Sequence, residues 1–354
     1  MRAVMIEAAR AQPRVLTVAD PHAPAGGVVV RVAATGMCRS DWHGWAGHDD
    51  DIAFPHVPGH ELAGEVVEVG AGVTLWRVGD RVTVPFVCGC GRCEWCAVGD
   101  AQVCPDQRQP GFTDWGSFAE YVALYTADAN LVALPDDVDV AAAASLGCRF
   151  ATAYRALVGR AAVREGEWVT VIGAGGVGLS AVMIAAALGA QVIAVDRNAE
   201  ALSVAAEFGA RHTVLADGID VPAAVHDLVP GGSHIAVDAV GSESTCASAI
   251  LSLRRRGRLA QIGLLPPVTG HPRLPMSRVI GWELDLLGSH GMAASDYPAM
   301  MALIESGALQ PQRLVASVIG LAEAAARLPT FDQATVTGIT IIDPHLGAEP
   351  PGRR

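Results

Sequence analysis

The chain has 354 residues, 51% of them hydrophobic and 18% charged, which is enough apolar material for a large core and too little charge for a disordered chain. Arg and Lys total 25 against 37 Asp and Glu, a formal net charge of -12, so the whole is a poor partner for nucleic acid or another polyanion. All 25 cations are arginine, and with no lysine the chain excludes Schiff-base chemistry, a pyridoxal phosphate anchor and the P-loop or kinase lysine.

Length favours two domains. The start, MRAVMIEAAR, lacks the apolar stretch and small-residue cleavage site of a secretory signal. With eight cysteines, this predicts a reducing, cytoplasmic setting in which thiols or metal ligands outrank disulfides. The uncharged run from Trp168 to Val195 is long enough to cross a bilayer. Gly173, Gly175, Gly176, Gly178 and Gly189 divide it into strand, turn, helix and strand, so no membrane association is expected.

In chain order, residues 1–150 read as an irregular β-rich domain. Strands are predicted at 28–33, 62–69 and 81–87, punctuated by Gly26-Gly27, Pro58-Gly59, Gly70 and Gly72. Beyond 150 the texture alternates. Strands are expected at 168–172, 192–196, 235–239, 258–263 and 284–288, with helices at 179–188, 199–208 (capped by Gly209) and 244–253. This is the pattern of a doubly wound parallel sheet in an α/β chain. Arg254, Arg255 and Arg256 before Gly257 read as a helix C-terminus, where cations complement the dipole. A helix near 296–306, a strand near 338–342 and a mobile tail at 350–354 complete the prediction.

Residues 169–178 read VTVIGAGGVG. Gly173, Gly175 and Gly178 form G-x-G-x-x-G between a strand and a helix, with Gly176 and Val177 inside the turn. The glycines permit a tight turn and close backbone approach to a pyrophosphate, and the helix N-terminus offers free N–H groups. Asp196 ends the next strand, where a carboxylate accepts from an adenosine ribose and repels a 2′-phosphate. NAD is therefore favoured, while Arg197 keeps NADP open.

Cys90, Cys93, Cys96 and Cys104 give C-x2-C-x2-C-x7-C, four thiolates suited to a closed tetrahedral zinc site; a disulfide pair and an iron–sulfur cluster are the alternatives. Cys88 reads as a bystander, Cys246 as an inert helix residue, and Asp238 as holding backbone groups. Cys38, His60 and Cys148 are far apart in sequence. Together they would supply two sulfurs, one nitrogen and an open position, a catalytic zinc set, with Asp41 and Glu61 as supporting acids.

This combination resembles the zinc-dependent medium-chain dehydrogenases, the alcohol dehydrogenase family, over nearly the whole chain. The resemblance implies a GroES-like catalytic domain (1–150 and 289–354) around an inserted Rossmann NAD(P)-binding domain (151–288). It implies a catalytic zinc on Cys38, His60 and Cys148, a structural zinc on the four-cysteine lobe, Glu61 as an acid behind the metal, and Asp41 as the orienter of His60. Ser40 and His43 match a proton relay running through the cofactor ribose. Arg39 matches a pyrophosphate position, Thr152 a residue beside the nicotinamide, Val177, Val240 and Ile262 cofactor-lining positions, and Ser289 a carboxamide contact. Cys148 as third ligand resembles the branch acting on simple alcohols and aldehydes.

Gly338 stands where the family often has an arginine reaching the pyrophosphate. Trp42, Trp45, His48, Phe86 and Trp115 suggest an aromatic-lined pocket, or simply core and interface. The expected activity is reversible hydride transfer between a primary or secondary alcohol and NAD by a homodimer or homotetramer with two zincs per chain. An NADPH-dependent carbonyl reductase on the same scaffold and a non-enzymatic zinc and nucleotide redox sensor are the alternatives. The Ser40–His43 pair argues against the sensor.

Overall fold

The computed structural model describes residues 1–265, 271–333 and 337–347; the tail expected at 350–354 lies outside them. The chain divides into two compact units. One comprises Met1–Cys148, Gly291–Ala302 and Pro311–Arg354, and the other Arg149–His290 and Leu303–Gln310. The segment Leu303–Gln310 belongs with the second unit although it lies beyond Gly291–Ala302 in sequence.

The first unit is built on the strand Val28–Met37. Its valine run is buried on both faces, which a strand paired on either side and covered above and below requires. It pairs antiparallel with Glu61–Val69, Tyr121–Leu124 and Ile339–Ile342, and two register shifts bend it along the way. Val28, Val30, Val32, Leu62, Val66 and Val82 form one core. The strand predicted at 81–87 stops at Thr83, because Pro85 has no N–H for a ladder. Residues beyond it run as a buried loop, with Phe86 N donating to the Gly147 carbonyl at 3.0 Å. A strand that sequence reading did not name, Val315–Ile319, lies parallel to Ile339–Ile342.

The second unit is a parallel sheet. Among the described residues its order is Ala210–Leu215, Gln191–Asp196, Trp168–Ile172, Ser233–Asp238, Leu253–Gln261, Asp285–Gly288. The order reverses direction beside Trp168–Ile172, which is the switch point where such sheets bind ligands. The helix Gly176–Ala187 is buried from Gly178 to Ala185, as its mostly apolar composition demands, and its one polar residue there, Ser180, donates to the Gly176 carbonyl at 2.7 Å.

The edge strand Ala210–Leu215 and the helix Val221–Leu228 escaped the sequence reading. An edge strand buries little, and ARHTVL buries only Val214 among exposed and part-buried residues. The three arginines need a correction. Arg254, Arg255 and Arg256 do not end a helix, because the helix Glu243–Leu251 stops before them and they lie within the strand Leu253–Gln261. Leu253 pairs with Ser233 and Arg258 with Ile235, so residues 254–257 bulge out of the ladder and the three arginines stay exposed while Gly257 is buried. Arg256 meets Glu283 at 2.9 Å, and Arg255 lies over the Trp282 ring.

Candidate metal centres and dinucleotide site

The helix Arg39–Trp45 starts at Cys38, and its third residue, Asp41, reaches back so that Oδ2 accepts from Cys38 N at 2.8 Å. The other oxygen, Oδ1, accepts from Gly59 N at 3.1 Å and from Nδ1 of His60 at 3.0 Å. One buried carboxylate thus fixes both the first cysteine and the histidine. With its proton on Nδ1, His60 keeps the Nε2 lone pair free, and Nε2 is buried without a hydrogen-bond partner. Without a metal, burial works against a charged imidazole here, but Asp41 and Cys38 outweigh it and hold the His60 pKa well above the usual histidine range, so a metal ion takes Nε2 by displacing its proton.

Cys148 arrives from a distant segment. A Cβ on Gly147 would lie 2.9 Å from the Val84 carbonyl oxygen and 3.3 Å from Cα of Glu61, so only glycine lets this loop approach the backbone at His60. The buried Tyr297 hydroxyl donates to the Leu146 carbonyl at 3.1 Å and braces the same turn. The result brings the ligand atoms of Cys38, His60 and Cys148 within 4.8 Å of one another. Two thiolates, an imidazole with its lone pair aimed inward and a fixed second-nitrogen partner are a fitting donor set for zinc with one open position. Glu61 is fully buried beside His60, and Phe86 and Phe112 flank the ring with centroids 5.9 and 5.0 Å away.

Ser40 and His43 lie on the helix that Cys38 caps. Ser40 Oγ is 3.9 Å from Cys38 Sγ. His43 is half-buried, and burial, Arg39 and His48 lower its pKa. Arg39 is exposed at the helix start. Trp42 packs edge-on against His43. Trp45 and Trp115 serve the backbone: their indole N–H groups donate to the Ala11 carbonyl at 2.7 Å and the Pro55 carbonyl at 3.1 Å. Gly338 adopts a φ of +103°.

The ligand atoms of Cys90, Cys93, Cys96 and Cys104 also lie within 4.8 Å of one another. The N–H groups of Arg92 and Cys93 point at Cys90 and lower its pKa to about 6, while desolvation and then the neighbouring Cys93 thiol push Cys96 up to about 12. One thiolate forms easily and its neighbours then resist a second negative charge. A bound dication resolves that conflict, so this set too fits zinc. Cys88 is a buried thiol outside the set, with its pKa raised to about 12. Cys246 is buried in its helix.

In the second unit, Gly173 turns with a φ of +94°, and a Cβ on Gly178 would fall 1.7 Å from the Gly173 carbonyl oxygen, so the turn and helix can meet only through glycine. Gly175 faces open space, with no atom within 4 Å of where its Cβ would be. The helix beginning at Gly176 has no side-chain cap and no acid in its first turn, leaving its N–H groups for an anion. Asp196 accepts from Ala174 N at 2.6 Å and Asn198 N at 2.8 Å, which places its carboxylate on the turn. Arg197 beside it is exposed.

Val240 and Ile262 follow the ends of the strands Ser233–Asp238 and Leu253–Gln261. Asp238 holds this corner by accepting from Val240 N and Gly241 N. Val177 is in the first turn of the helix. Ser289 Oγ donates to the Thr152 carbonyl at 3.5 Å. Sequence reasoning missed Arg149. It is only 6% exposed, and a Cβ on Gly176 would lie 2.8 Å from its Cδ, so this cation rests against the glycine turn. Its position next to Cys148 in the sequence was the available signal.

Residues 24–136 match the family model of the alcohol dehydrogenase GroES-like domain, and residues 176–306 match that of the zinc-binding dehydrogenases. An alcohol dehydrogenase of Geobacillus stearothermophilus is 37% identical over 270 residues, 75% of this chain and 78% of that one. The solved alcohol dehydrogenase of Thermus sp. ATN1 superposes with a TM-score of 0.88 at 30% identity, covering 97% of this chain and 99% of that one. A protein from Sinorhizobium meliloti 1021, described as a zinc-binding dehydrogenase and bound to NADP, superposes at 0.85 with 27% identity, over 97% of this chain and 99% of that one. The chain belongs to the zinc-dependent medium-chain dehydrogenases, the alcohol dehydrogenase family, and is an oxidoreductase with a GroES-like and a Rossmann-like domain.

Proposed function

We propose that the chain oxidises a primary or secondary alcohol reversibly, with NAD as hydride acceptor and zinc on Cys38, His60 and Cys148. The observation that carries this is the buried, unpartnered Nε2 of His60, held by Asp41 beside two thiols. When bound, the zinc would acidify the alcohol hydroxyl and the dinucleotide would take the hydride from the adjoining carbon. Asp41 keeps His60 in the ligating tautomer. Ser40 accepts the hydroxyl proton, and His43, whose lowered pKa keeps it neutral above the ordinary histidine value, accepts it in turn. The glycine turn and the helix N-terminus hold the pyrophosphate, Asp196 the adenosine ribose, and Arg149 adds positive charge at that turn.

Asp196 supports NAD over NADP. The four-cysteine lobe takes a second, structural zinc. The reading includes a reducing, cytoplasmic setting, supported by the thiol-rich metal sets. It also includes a homodimeric or homotetrameric assembly, which light scattering tests. The experiment for the activity is turnover of a panel of alcohols and aldehydes with NAD and NADP in parallel, for the native chain and Cys38→Ser. Native turnover with NAD that Cys38→Ser abolishes, while NADH binding persists, supports the reading. Native turnover that survives in Cys38→Ser overturns it.

A further inference from the structure

His43 does not end the line of polar groups at this corner of the first unit. Its Nδ1 lies 3.0 Å from Nδ1 of His48, and the His48 backbone N–H donates to the His43 carbonyl at 3.0 Å. The turn that leaves the helix Arg39–Trp45 therefore folds His48 back onto His43. Trp42 stands edge-on to both rings, with centroids 4.9 and 5.5 Å away, and limits their movement. His43 is half-buried while His48 is exposed, so the pair leads from the interior to water. The charged and titratable groups that act on His43 are Arg39 on its own helix, Cys38 at the helix cap, His48 itself, and Asp332 from the packed segment Leu328–Gln333.

Each imidazole can accept a proton at one nitrogen and release one from the other. We propose that His48 is the outer station of a two-histidine proton path. A proton taken up at Nε2 of His43 is matched by loss of the Nδ1 proton to Nδ1 of His48, and Nε2 of His48 then gives its proton to water. On each ring one N–H bond forms and one breaks, no electrons are transferred, and reorientation of the rings restores the starting tautomers. The same path runs inward for carbonyl reduction. A half-buried imidazole beside Arg39 holds a proton poorly, which gives the exposed second ring its use. His48 is thus a positioning and relay residue that acts through His43 and touches no substrate.

This inference rests on the proposed role of His43, so the two histidines are tested side by side in the zinc-loaded enzyme. His48→Gln and His43→Gln are assayed for kcat and KM in alcohol oxidation across pH, in low buffer and with added imidazole. For His48→Gln the expectation is a drop in kcat of about 3–10-fold below neutral pH, a small part of the usual acid–base contribution, with KM for NAD unchanged. Added imidazole should restore the rate in proportion to its concentration. A slowed His48→Gln enzyme that imidazole does not rescue would mean a structural role and overturn the inference. So would a native rate in His48→Gln beside a slowed His43→Gln. Native rates in both variants would instead overturn the reading of His43.

Discussion

Asp41→Asn isolates what one carboxylate does for the metal set. Asp41 is 2% exposed and accepts three hydrogen bonds, from Cys38 N, Gly59 N and His60 Nδ1. Asparagine keeps the shape but offers only one oxygen. If its NH2 group replaces Oδ2, it faces the Cys38 N–H, donor against donor. A buried unmade hydrogen bond of that kind costs about 1–3 kcal/mol of stability. If the NH2 group replaces Oδ1, it faces Gly59 N and His60. The imidazole then gains by moving its proton to Nε2, which closes the lone pair that a metal needs. Either orientation weakens zinc at this set, by about 10–100-fold from such outer partners, or about 1.4–2.7 kcal/mol. The assay is competition for zinc with a chromophoric chelator, with total zinc measured alongside. The four-cysteine lobe, which Asp41 does not touch, serves as internal control. Zinc affinity within twofold of native would refute the claim that Asp41 sets the histidine's ligating state.

Cys96→Ser should lower zinc from two to one per chain by elemental analysis, with the remaining zinc still competed at the native chelator concentration; two retained zincs would refute the lobe assignment. Gly176→Ala drives a methyl to 2.8 Å from Cδ of Arg149, so NADH affinity by fluorescence titration should fall about tenfold while the denaturation midpoint changes little. Unchanged affinity would remove Arg149 and this turn from the cofactor site. Asp196→Ala should shift the kcat/KM preference toward NADP by tenfold or more, about 1.4 kcal/mol; an unmoved ratio would mean Asp196 serves only Ala174 and Asn198.

Fold stability should fall in mild acid. Burial lowers the pKa of His43, His56, His234 and His290, so each stays neutral in the fold longer than in the unfolded chain. As pH drops below the ordinary value of 6.5, the unfolded state binds more protons. The stability present above that value is then lost as the pH falls toward the depressed folded pKa values; His60, shifted upward, adds its stability as pH falls to the ordinary histidine value and changes little below it. Denaturation midpoints that stay flat or rise between neutral and mildly acid pH would contradict this.

The sequence by itself determined the parts whose physics is local. VTVIGAGGVG fixes a strand, a turn and a helix because only glycine fits at Gly173 and Gly178, and CGRCEWC places three thiols in one short loop. Alternation of strand and helix beyond residue 150 sufficed for a parallel sheet, since each buried strand is centred on apolar residues. The edge strand Ala210–Leu215 was not legible, because an edge buries too little to impose an apolar pattern. The arginine run was misread for a related reason. A bulge is set by the register against a distant strand, which three consecutive arginines do not reveal.

At the candidate metal centre the chemistry-bearing residue types were visible, and their meeting was named through the family resemblance, not through any local pattern. Cys148 reaches His60 only because Gly147 lets two backbones touch and Tyr297, some 150 residues away, anchors the turn. His48 pairs with His43 through the way the chain leaves its helix, and Arg149 rests on the glycine turn through packing within the second unit. Residue type and short spacing set which groups are available. Long-range packing, which no local pattern encodes, decides which of them come within bonding distance.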